Sequence, residues 1–319
     1  MSSVLSDPVR ETRSVRAELV RAAGAVLLTP PPASDHLCAA VGLAPISAAD
    51  HTDAFVLSLV PHAGVHLGRD GQLGGEGLDR VEGFWRALGL RPPVDADHLG
   101  VLLMAYADLL DQLPDGPGAA PGSASGDGAP ADPAERAAAA LFHEHLWSFA
   151  PPYLAAVAGL RLPGVDGWAE LTAALLRAEH ARHPAPPVLP LALREAPPAI
   201  EPGIGFDDLL DAVVAPVRIG TVLTQRDLRA GAAEVGVGYR RGERRFALRA
   251  MLEQDKPATL NWLARQAHGW VETHEQAYRT EDACEDDTAR WWIGRARHSA
   301  DVLDTLAAET RLHDGWGDR

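Results

Sequence analysis

The stretch VDADHLGVLLMAY, Val94 to Tyr106, sets two aspartates and a histidine directly against an apolar run. Leu99, Leu102, Leu103, Tyr106, Leu109 and Leu110 recur at i, i+3, i+4 spacing and therefore fall on one side of a helix. Asp95 or Asp97 is a natural N-cap, because a carboxylate there accepts from the free N–H groups of the first turn. Read locally, the stretch is the start of a core helix. The same Asp97-His98 pair also suits a surface that recognises a partner, and the residues around it do not decide between the two.

The rest of the chain agrees with helix. Of 319 residues 46% are hydrophobic, with abundant Ala and Leu, and few segments resemble strands. Helical patterns run from Ser14 to Leu28, from Ala49 to Leu59, from Leu78 to a cap at Gly89, and through AERAAAALFHEHLWSFAPPYLAAVAGL, turned at Pro151-Pro152. Pro61 to Gly77 is so rich in glycine that an irregular loop is predicted. The fold class is all-α, an N-terminal helical bundle over 1–183 joined by a Pro-rich linker, 184–205, to a C-terminal helical unit, 206–319. A low-complexity Ala/Gly/Pro insertion, 113–133, has almost nothing to pack and is expected to be mobile.

A formal charge of -15 opposes generic binding to nucleic acid or anionic membrane. Cys38 and Cys284 are too few for a disulfide framework, and no run is long enough to span a bilayer, so a cytoplasmic location without membrane insertion is expected. His62 and His66 have metal-compatible spacing, but Gly64 between them argues against ligation. FHEHLW superficially resembles a zincin, yet the position of the second histidine is Trp147, and His143 and His145 point to different sides of their helix. No phosphate loop or nucleophile setting is present. No catalytic residue, metal or cofactor is expected. The segment 221–251, with Arg240, Arg241, Arg244, Arg245 and Arg249, has a helix-turn-helix-like pattern that offers DNA binding as an alternative, against a reading in which these arginines pair within the protein.

Three elements in order carry a resemblance. Phe84, Trp85, Gly89 and Leu90 follow a Gly-rich loop; Asp97, His98 and Leu99 open the apolar helix; Phe142, His145, Leu146, Pro151 and Tyr153 come later. This arrangement resembles the TorD/DmsD family of cytoplasmic chaperones for molybdoenzymes. One departure is Ala96, where the family usually has proline. The resemblance implies a TorD-like helical fold and a non-enzymatic protein. Its partners would be the twin-arginine signal peptide and the apo catalytic subunit of a molybdopterin-dependent oxidoreductase. It further implies a binding surface including Phe84, Trp85, Asp97, His98, Leu99, Leu102 and His145, where acidic groups meet guanidinium heads and apolar side chains meet the rest.

Overall fold

The computed structural model describes residues 13–113, 132–183, 186–280 and 286–314. The protein is all-α, with no β-strand among the described residues. The 113–133 insertion lies outside the described residues except at its ends, as does Cys284. Two compact units interleave in the sequence: unit 1 comprises 1–63, 78–191 and 277–286, and unit 2 comprises 64–77, 192–276 and 287–319.

Unit 1 is built on the helix Leu99–Gln112, which packs along Arg13–Leu28. All six residues of the apolar stripe, Leu99 to Leu110, are buried. The two backbones approach closely at Gly24 and Gly100, where a Cβ added to Gly24 would lie 2.9 Å from the Gly100 carbonyl oxygen. Glycine is needed there for contact, not for an unusual backbone. The helix Val165–His180 closes the bundle: Trp168 Nε1 donates to the Ala23 carbonyl at 2.9 Å, and Ala150–Gly159 packs beside it. Pro151 and Pro152 sit in the first turn of Ala150–Gly159, where a missing N–H costs nothing.

Two segments of unit 1, Thr52–Ser58 and Leu141–Trp147, form π-helices continuous with preceding α-helices, Ala48–His51 and Pro133–Ala140. The wider π turn shifts the side chains that follow it relative to an α-helical register. In the second, His143 lies among His180 and His183 while His145 lies against Phe84.

Unit 2 has an apolar centre that includes Leu210, Ile219, Leu248, Met251, Leu260, Trp262 and Leu303. Its two long helices, Lys256–Ala277 and Asp287–Asp314, run antiparallel, as Arg311 Nη2 to Asn261 Oδ1 (2.8 Å) and His268 Nε2 to Asp304 Oδ2 (3.0 Å) require. The Gly-rich stretch Pro61 to Gly77, expected to be irregular, contains the helix Ala63–Leu67. Its glycines serve close packing: a Cβ on Gly77 would fall 2.5 Å from Gly64 Cα, and one on Gly71 would fall 2.7 Å from the Val214 carbonyl oxygen. The Pro-rich stretch after His183 carries the short helix Leu191–Arg194 and buries Ala192, Leu193 and Ile200.

Candidate functional site

The VDADH element is held by backbone pairing that the sequence does not announce. His62 and His98 form an isolated antiparallel bridge: Ala63 N–H donates to the Asp97 carbonyl at 3.0 Å and Leu99 N–H donates to the Pro61 carbonyl at 2.7 Å. Neither aspartate caps the helix. The N-cap is His98, whose Nδ1 accepts from Gly100 N–H at 3.1 Å. Asp95 is excluded from that role by position, because it takes a left-handed turn (φ 55) three residues earlier and its carbonyl accepts from His98 N–H. With Nδ1 serving as an acceptor, the ring proton of neutral His98 resides on Nε2.

The bridge brings the two imidazoles edge to face, 4.9 Å between centroids and 89° apart. Burial, reinforced by His62 and opposed by Asp95, lowers the His98 pKa to about 4. His62 Nε2 lies 4.0 Å from Asp95 Oδ1, and His62 Nδ1 is enclosed without a hydrogen-bond partner. The two aspartates divide the work. Asp97 is 2% exposed, whereas the Asp95 side chain is 68% exposed. Beside Asp95, Val94 is 87% exposed.

Besides Asp97 and His98, the predicted site residues fall into three environments. Leu99 and Leu102 are wholly buried in the bundle. Phe84 and His145 meet edge to face with 5.3 Å between centroids, and burial together with the Arg80 charge brings the His145 pKa to about 4. Trp85 is half-buried, with its indole Nε1 enclosed and without an acceptor.

A second cluster in unit 1 escaped the sequence reading. Glu179, buried on Val165–His180, accepts from Arg16 Nε at 2.6 Å and from the Tyr106 hydroxyl at 2.9 Å, with Arg182 Nε at 3.5 Å. His183 Nε2 lies 2.7 Å from the same hydroxyl; since that O–H donates to Glu179, the histidine donates to it. Burial, then the His143 charge, brings the His183 pKa to about 3. His180 stacks on Trp147 at 4.2 Å, and Trp147 Nε1 donates to Asp286 at 2.6 Å. Only tertiary contact joins residues so far apart in sequence, and the single available signal was the ionisable residue Glu179 on an otherwise apolar helical stripe.

Among the described residues no group of three or more His, Cys, Asp or Glu is arranged to hold a metal ion, and no helix is long and apolar enough to cross a membrane. The basic segment of unit 2 forms the helix Gln225–Val235, started by a Thr224–Asp227 capping box, and the helix Arg244–Gln254. Arg244 Nη1 donates to the Leu223 carbonyl at 2.9 Å, Arg245 bonds Asp207 and Asp211, and Arg249 bonds Asp207 and lies over Phe206. The second helix thus directs three guanidiniums to its own unit, which leaves little to lay on a duplex.

Fold and site together define an all-α protein whose unit 1 carries an exposed acid beside a locked histidine pair. A protein-family model described as nitrate reductase delta subunit matches residues 46–155, a stretch that contains every predicted site residue from Phe84 to His145. No curated protein and no solved structure matches the chain.

Proposed function

We propose that this protein is a molecular chaperone, not an enzyme, that binds the twin-arginine signal peptide and the apo form of a molybdopterin-dependent oxidoreductase. It acts in the cytoplasm until cofactor insertion is complete and the client is ready for export. The family match over residues 46–155 supports the chaperone role. The observation that carries the site is the bridged VDADH element, which holds an exposed carboxylate and an exposed valine side by side on a fixed turn.

In this reading a guanidinium of the peptide meets Asp95, while Val94 and the half-exposed Leu90 receive apolar residues that follow the arginines. Asp97, Leu99 and Leu102, which are buried, support the element from beneath instead of touching the peptide. His98 fixes the helix start, and Phe84 with His145 steadies the neighbouring helix Gly75–Ala87. Affinity capture from the native host tests the proposal. Recovery of a molybdopterin-dependent oxidoreductase subunit that still carries its signal peptide is expected, and consistent recovery of partners of unrelated chemistry overturns it.

A further inference from the structure

Charge is unevenly distributed in this acidic chain. Between Thr224 and Ala250 stand seven arginines and three acids, against a formal charge of -15 for the whole. Asp227 is engaged in the capping box and Glu234 in an ion pair with Arg265 at 2.7 Å, so two of those acids are occupied, and Glu243 remains exposed. On the basic side, Arg244, Arg245 and Arg249 turn inward as described. Arg240 and Arg241 do not: both are exposed, and neither has an ion pair among the described residues.

These two arginines ride on a short segment between two helices that is stapled on both sides. Gln254 holds Gly238 through both backbone groups, its Oε1 accepting from the N–H at 2.8 Å and its Nε2 donating to the carbonyl at 2.9 Å. Gln225 accepts from the Tyr239 hydroxyl and donates to the Gly242 carbonyl at 2.5 Å. Arg229 lies over the Tyr239 ring, 5.4 Å from its centroid, and Phe246, 47% exposed, packs against Gly242. A solvated charge run needs none of these restraints; a recognition loop gains from them, because ordering entropy is lost before binding and not during it.

We infer that the Tyr239–Gly242 segment of unit 2 is a docking loop for an acidic peptide segment of a protein partner, with Arg240, Arg241 and Arg229 taking carboxylates and Phe246 taking one apolar residue. Guanidiniums match carboxylates in geometry as well as charge. Nucleic acid fits less well: three presented arginines neutralise few phosphates, while the net negative charge of the chain repels a long polyanion.

Fluorescence anisotropy on the full chain decides this, using three probes: a short Glu-rich peptide carrying one Phe, the same peptide with Gln for Glu, and a random DNA duplex. Binding of the Glu-rich peptide alone is expected at about 0.15 M salt. Arg240→Ser with Arg241→Ser is expected to weaken it by about ten-fold or more. Gln254→Leu keeps the charge but removes the staple, and is expected to weaken it several-fold. Equal affinity for the Gln peptide, tighter binding of the duplex, or unchanged affinity in either variant overturns the inference. Twin-arginine peptide binding is expected to survive both variants, so this test stands apart from that of unit 1.

Discussion

Unit 1 and unit 2 are both helical, but they bury different things. Unit 1 buries two carboxylates, Asp97 and Glu179, together with His143, and half-buries the depressed histidines His98, His145 and His183. Unit 2 surrounds an apolar centre and encloses mainly hydroxyls, Thr221, Thr224, Thr259, Thr288 and Ser299, besides His66 and His274. Burying ionisable groups is costly unless each is paired, so such groups specify one arrangement without adding much net stability. The contrast predicts that unit 1 is the acid-sensitive half and unit 2 the half sensitive to volume.

The largest expected effect is that of pH. An unfolded histidine takes its proton near the ordinary value of 6.5, whereas folded His98 and His145 take theirs only at about 4 and His183 at about 3. The unfolded chain therefore binds more protons between these limits. Stability is full above about 6.5 and is lost as pH falls toward 4 and then 3. Each unit of depression corresponds to about 1.4 kcal/mol, so unit 1 should open first. Hydrogen exchange at neutral and mildly acidic pH reads the two units separately; unit 2 holds His274, lowered to about 4, and equal loss of protection in both units would erase the contrast.

Removing one member of the buried network comes next. Glu179→Leu leaves Arg16 and the Tyr106 hydroxyl without their acceptor, and an expected loss of about 3–5 kcal/mol is measurable by urea unfolding. The counterpart in unit 2 is Gly231→Ala, whose Cβ would lie 2.3 Å from the Trp262 ring; about 1–3 kcal/mol is expected for such overpacking. A neutral result at Gly231 would mean that unit 2 is loosely packed. Smallest is His98→Ala, which deletes the N-cap of Leu99–Gln112 and should cost about 0.5–2 kcal/mol, with His98→Asn recovering most of it.

The helices were legible because a stripe such as Leu99 to Leu110 repeats within a few residues, and one face of one helix determines it. In the stretch proposed as the site the start of a helix was legible, but not which aspartate faces outward. Asp95 and Asp97 are two residues apart and chemically alike, and only the pairing of Pro61 and Ala63 with Leu99 and Asp97 turns one outward and the other inward. The same limit hid the Glu179–Tyr106–His183 group, in which Tyr106 lies 73 residues from Glu179 and 77 from His183. At Pro61 to Gly77 the glycine content suggests a break, although several of these glycines are the contact points of packed backbones. Composition alone does not separate these uses.

In the proposed function the fixed VDADH turn presents Asp95 to an arginine-bearing peptide. Calorimetric titration of the full chain with a twin-arginine signal peptide tests it directly, beside Asp95→Asn and Asp97→Asn. Saturable binding is expected that weakens with salt and falls by about 1.5–3 kcal/mol in Asp95→Asn, the scale of a charge-assisted hydrogen bond, while Asp97→Asn lowers stability and leaves affinity nearly intact. Absence of binding, or an affinity that Asp95→Asn leaves unchanged, would contradict it.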